Sequence, residues 1–283
     1  MEILVLKPHG YCPGVKRALD LARLALKDED SPLVMLGGLV HNETVIASLQ
    51  EEGFVLPKEE NPLDTLLSVP SGTRILFSAH GHPLAYEDIC DLRNLPYYDG
   101  TCPFVQENLE AGRNCEGCLI YCGIEGHQEA IAFLTNVPEA IFYDVKTGAY
   151  NLIKAKGKQL PVYIICQTTL GNDEISRAVA NIKKDFPDAT LLKENCPSSY
   201  ARQKVVEDLE GVDALIVMGS KTSANSCQLV RIGKSKGIES HLCLDVSEVK
   251  ALDLSGKKKI ALGSGASVPE ATLEEALTYL RSL

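Results

Sequence analysis

Three cysteines in this 283-residue chain are each followed directly by proline: Cys12-Pro13, Cys102-Pro103 and Cys196-Pro197, spaced 90 and 94 residues apart. Proline favours the first position of a helix, so each thiol is expected at a helix cap. The positive end of the helix dipole stabilises a thiolate there. Three thiolates suit a zinc ion with a fourth ligand, or a cubane iron–sulfur cluster with one iron left open. An open iron acts as a Lewis acid while the cluster stores an electron. Three cysteines beside a polar pocket therefore point to chemistry, where a closed four-cysteine site would point to electron carriage alone.

The elements that must position these thiols repeat with them. After Pro13, Val15, Ala18, Leu19, Ala22 and Leu26 recur at helical spacing, and after Pro197 so do Ala201, Val205, Val206 and Leu209. Residues 104–109 give a shorter, weaker version. A strand is expected before each cysteine, at residues 3–6, 95–98 and 190–192. Each Cys-Pro helix leads to a second strand (within 32–38, 118–122 and 214–218) and later to a third (within 75–81, 162–166 and 260–267), each running into glycine and polar residues. Three copies of one pattern follow, 1–99, 100–189 and 190–283, each with three strand-then-helix units. That alternation predicts three small α/β domains with parallel sheets. No linker rich in glycine, proline or serine separates them, so close packing is expected.

Ligands of parallel α/β sheets bind beyond the carboxyl ends of the strands. Five of the six histidines, His9, His41, His80, His82 and His127, fall in or beside those turns. With Ser223, Asn225 and the N–H groups of helix starts, they offer donors to phosphate oxygens. Charge-assisted hydrogen bonds contribute roughly 1.5–3 kcal/mol each, so five or six suffice for a small diphosphate. Glu129, two residues after His127, is placed to give or relay a proton if burial raises its pKa. The alternative is a helix-start carboxylate favoured by the dipole.

A net charge of −10 and a pI near 5.2 argue against a broad nucleic-acid or anionic-membrane surface. No apolar run reaches the ~18 residues of a membrane span. The opening residues read as a buried strand and not as a signal peptide, which leads to the expectation of a cytoplasmic protein with few disulfides. The ten cysteines are then ligands or buried thiols. Cys115, Cys118 and Cys122 admit a second metal site with His127, or a buried strand face with a preceding loop; the second reading is preferred. Cys90, Cys166, Cys227 and Cys243 sit in apolar patterns where buried thiols are ordinary.

The motifs as an ordered set resemble the 4-hydroxy-3-methylbut-2-enyl diphosphate reductase family. They are Gly10-Tyr11-Cys12-Pro13-Gly14-Val15, Val40-His41-Asn42, Ser78-Ala79-His80-Gly81 and Thr101-Cys102-Pro103, then Gly126-His127-Gln128-Glu129 and Gln167-Thr168-Thr169-Leu170. Cys196 with Arg202-Gln203, Gly219-Ser220-Lys221 with Ser223 and Asn225-Ser226, and Gly265-Ala266-Ser267 complete the set. The resemblance implies a pseudo-threefold trefoil around a [4Fe–4S] cluster held by Cys12, Cys102 and Cys196, with one open iron receiving the substrate's hydroxyl. It implies diphosphate binding by His41, His80, His127, Ser223, Asn225 and Ser267. Glu129 is the implied proton source, and Thr168 the group organising the hydroxyl end; His127 borders both. Two electrons from reduced ferredoxin or flavodoxin, with two protons, would remove the hydroxyl as water and yield isopentenyl and dimethylallyl diphosphates.

Four positions depart from the family pattern. Ala224 stands where a second serine is common, and Glu107 where lysine is often found. Pro197 and Ser199 replace the usual residues after the third cysteine, Ser199 keeping a hydroxyl. Two other readings use the same residues. One is a cluster-dependent dehydratase or condensing enzyme of the quinolinate synthase type, which needs no external electrons. The other is a metal-bound anion sensor without catalysis.

Overall fold

Apolar runs without alternation, such as those at 118–122 and 214–218, form strands only where both faces of a sheet are covered. The structure, a computed structural model, describes residues 1–27, 32–57, 59, 61–157 and 161–283, and it covers both faces. Cys118, Ile120 and Cys122 pack into one core cluster while Leu119 and Tyr121 pack into another. Ala214, Ile216 and Met218 separate in the same way from Leu215 and Val217.

Among the described residues the strands are β1 (Glu2–Val5), β2 (Leu33–Met35), β3 (Arg74–Phe77), β4 (Tyr97–Asp99), β5 (Cys118–Gly123) and β6 (Ile141–Asp144). They continue as β7 (Val162–Cys166), β8 (Thr190–Lys193), β9 (Ala214–Met218), β10 (Glu239–Cys243) and β11 (Lys259–Ser264). Three sheets result, ordered β1-β11-β9-β10, β2-β3-β4 and β6-β5-β7-β8. Every ladder between these strands is parallel. The chain is thus the parallel α/β protein its strand–helix alternation predicts.

Two strands were not anticipated. β6 and β10 are sheet edges, and β10 opens with Glu239-Ser240-His241, so neither offers a long apolar run. β1 corrects another expectation: it is an edge strand of exposed and half-buried residues, not a buried one. The buried residue there is Leu6, just beyond it.

The strand before each cysteine pairs with the third strand of another strand–helix set, that of the last copy in the case of β1. β4 pairs with β3, β8 with β7, and β1 with β11. A boundary at 189/190 therefore falls one strand short of the ladder it borders. Met1–Lys16, Val40–Ser48 and Cys196–Leu283 form one compact unit, which contains the β1-β11-β9-β10 sheet. Arg17–Leu39 and Leu49–Asn195 form the other, with the remaining two sheets. No described helix is long and apolar enough to cross a membrane.

Candidate functional site

In the first unit, Cys12 and Cys196 each immediately precede a helix that opens with proline, Pro13–Lys27 and Pro197–Glu207. Their sulfurs accept N–H bonds at 3.4 Å from Val15 and Ser199. Ser199 Oγ also lies 3.3 Å from Cys196 Sγ. The Cys12 N–H donates to Ala266 O at 3.0 Å, which fixes the loop against the end of β11. Both thiols are half-buried. Such sulfurs, held at helix starts by backbone donors, fit a soft metal centre that is ligated by thiolate.

The same unit gathers the predicted anion ligands His41, Ser223, Asn225 and Ser267. Ser267 Oγ donates to His41 O at 3.2 Å, and Asn42 Nδ2 donates to Ser267 O at 3.0 Å, tying the two loops together. Burial lowers the His41 pKa against the pull of the Glu43 carboxylate, so the ring is neutral near pH 7. Ser223 caps the helix Ala224–Ser235, its oxygen accepting from both the N–H and the hydroxyl of Ser226. That leaves the Ser223 proton to be donated elsewhere. The Asn225 amide is 4% exposed, and neither its donor nor its acceptor has a partner among the described residues. A buried amide in that state has its hydrogen-bonding capacity left for a further partner. Ser226, to which the sequence reading gave no role, fixes this loop so tightly that a Cβ on Gly265 would lie 2.0 Å from its hydroxyl.

In the second unit, Cys102 caps the helix Pro103–Arg113 and its N–H donates to Ala79 O at 3.0 Å, beside His80. The His80 and His127 rings meet edge to face with centroids 5.8 Å apart. His127 caps the helix Gln128–Asn136, its Nδ1 accepting from the Glu129 N–H at 3.1 Å. In a neutral ring that assignment puts the proton on Nε2, making His127 a donor. Glu129 is 2% exposed, and Thr168 holds both its oxygens, through N–H at 2.8 Å and hydroxyl at 2.7 Å. Burial raises its pKa to about 7, against the opposing effect of those two bonds. The carboxyl therefore sits at a helix start, as the dipole alternative requires, yet is also buried and shared with Thr168.

A stability prediction follows from that shift. The ordinary carboxyl value is 4.5 and the folded one about 7, so the folded state binds the proton more tightly. This contribution is full below pH 4.5 and is lost as pH rises through 7, by about 3 kcal/mol in all. Glu129→Gln removes it. Thermal melts at about pH 5 and about pH 8 should show the wild type losing stability relative to the variant; parallel curves would contradict the raised pKa.

Two of the five turn histidines are committed elsewhere. His82 stacks on Phe77 at 3.8 Å and pairs with Glu87 at 2.9 Å, and His9 contacts Glu270 at 3.0 Å. Cys118 and Cys122 line one buried face of β5, and Cys115 packs beside the opposite cluster. A hydrogen bond with Cys166, then burial, holds the Cys122 thiol well above its usual range. No group of three His, Cys, Asp or Glu side chains is arranged to hold a single metal ion among the described residues. Cys90, Cys166 and Cys243 are buried as expected, whereas Cys227 is half-buried, its thiol donating to Lys221 O at 3.3 Å.

A model of the LytB protein family matches residues 3–281. The chain belongs to the LytB family. A curated 4-hydroxy-3-methylbut-2-enyl diphosphate reductase from Aeromonas hydrophila is 33% identical over 294 residues, covering all of this chain and 92% of that protein. One from Azoarcus sp. (strain BH72) is 32% identical over 290 residues, covering all of this chain and 90% of its own length. The solved E-1-hydroxy-2-methyl-but-2-enyl-4-diphosphate reductase from Plasmodium falciparum matches with a TM-score of 0.86 and 26% identity, over 99% of this chain and 87% of that one. Membership places this LytB chain among oxidoreductases.

Two departures from the family pattern have a local explanation. Glu107 pairs with Lys193 at 3.0 Å on an exposed face of the second unit. Ser199, 2% exposed, supplies the hydroxyl and N–H beside Cys196. Ser220, within a family motif, donates to Glu43 Oε1 at 2.8 Å and so shapes the His41 loop. Arg202 and Asn42 are further members of the site's framework; their motifs were visible in the sequence but their roles were not.

Proposed function

We propose that this chain reductively removes the hydroxyl of 4-hydroxy-3-methylbut-2-enyl diphosphate. Isopentenyl and dimethylallyl diphosphates form, two electrons and two protons are consumed, and water leaves. A [4Fe–4S] cluster on Cys12, Cys102 and Cys196 supplies the electrons and a Lewis-acidic open iron when bound. Reduced ferredoxin or flavodoxin is the proposed electron source, and the cytoplasm the proposed location.

The chain's own residues account for the rest. Ser223, Asn225 and neutral His41 offer donors and an unsatisfied amide to the diphosphate. We assign His80, His127 and Ser267 to the same anion. His127 presents Nε2–H because its Nδ1 is occupied by the Glu129 N–H. Glu129 holds a proton near neutral pH and passes it toward the departing hydroxyl, with Thr168 fixing both carboxyl oxygens.

The observation that carries this reading is the Glu129–Thr168 pair: a buried, protonatable carboxyl in a family of reductases. Anaerobic turnover of the hydroxymethylbutenyl diphosphate with a chemical reductant tests it. Reductant should be consumed at two electron equivalents per product. Substrate loss without any consumption would favour a dehydratase of the quinolinate synthase kind.

A further inference from the structure

Arg202 is 4% exposed, lies in the helix that follows Cys196, and forms no ion pair with a carboxylate among the described residues. Its Nη2 donates to Gly10 O at 2.8 Å and its Nη1 to Ser198 O at 3.2 Å. Those carbonyls lie two residues before Cys12 and two after Cys196. The Nε–H is buried and has no acceptor among the described residues. A guanidinium taken out of water without a counter-anion is strongly unfavourable, and a fold retains one where an anion is to be met. Burial lowers the Arg202 pKa, and the nearby groups whose negative charge would oppose that shift are the sulfurs of Cys12 and Cys196.

We propose that Arg202 is the fixed counter-charge for the anionic centre held by Cys12 and Cys196, and that it sets how readily that centre accepts an electron. The inference rests on the cluster reading above. Each electron taken up adds negative charge beside a cation that cannot lose its proton or swing away, since two carbonyls hold its fork. The reduced state gains more from Arg202 than the oxidised state does, so the reduction potential rises. Arg202 is thus a positioning residue for charge and does not touch the reacting carbon.

Two variants separate charge from tethering. Arg202→Lys keeps the cation and gives up the planar fork; Arg202→Gln keeps an amide donor and gives up the cation. Anaerobic redox titration, followed by the cluster's visible and electron-spin spectra, reads the result. In Arg202→Gln the reduced-to-oxidised ratio at a fixed applied potential should fall at least about tenfold, equivalent to about 59 mV for one electron. In Arg202→Lys it should stay within about threefold. If Arg202→Gln fails to keep its cluster while Arg202→Lys retains it, the charge role is again supported. Equal shifts in both variants, equal cluster loss, or no shift in either would overturn it and reduce Arg202 to a tie between two loops. A wild-type protein that binds no cluster would instead sink the function proposed above.

Discussion

Cys12→Ala, Cys102→Ala and Cys196→Ala should each lose the brown colour and the iron of the proposed cluster, while Cys115→Ala should retain about four irons per chain, as a cubane requires. The three thiols are half-buried at helix starts opened by proline. Cys115 instead packs against the cluster formed by Val105, Leu109 and Tyr121. Removing a sulfur that accepts an N–H bond, as those of Cys12 and Cys196 do, costs about 1 kcal/mol of cap stability, too little to unfold a domain. Iron loss with an unchanged melting profile of the iron-free protein therefore reports ligation and not collapse. Iron and sulfide assays on anaerobically purified variants decide the matter. Bleaching in Cys115→Ala, or retention in Cys102→Ala, would refute the ligand set.

On the proposed role, Glu129→Gln should lower turnover by about 10²–10⁴-fold, the usual range for loss of a general acid, with a much smaller effect on substrate binding. The substitution is nearly isosteric, and its amide can still meet the Thr168 N–H and hydroxyl, so the local structure survives. What disappears is the proton held by a carboxyl with a pKa of about 7. Wild-type turnover should decline as pH rises above that value, because the donor form empties, whereas the variant should be flat there. A pH–rate profile under anaerobic conditions checks both statements. A variant with wild-type kcat, or one that keeps the same alkaline decline, would remove Glu129 from the proton path.

The parallel sheets and the cysteine trio were legible because both rest on local rules. Proline after cysteine announces a helix start, and runs such as Ala214–Met218 announce a strand covered on both faces. β6 and β10 were not legible, since an edge strand needs apolar residues on few positions, and Glu239-Ser240-His241 resembles a loop. The histidines show the same limit. His41, His80 and His127 lie in strand-to-helix turns, as their positions in the sequence suggest, but nothing in the sequence announces that His82 stacks on Phe77 or that His9 reaches Glu270. Arg202 was the largest omission. It stands in one of the motifs, but nothing in the sequence announces its burial, and only tertiary packing places it between Gly10 and Ser198.

The pairing of β1 with β11 joins Glu2 to Lys259. A ribosome therefore releases the first strand long before its partner exists, and contacts of such long range form late. The Cys12 loop shares that delay, because its N–H awaits Ala266. Of the three thiols this one is translated first and anchored last, so on the proposed reading an inorganic centre would be loaded there after synthesis and not during it.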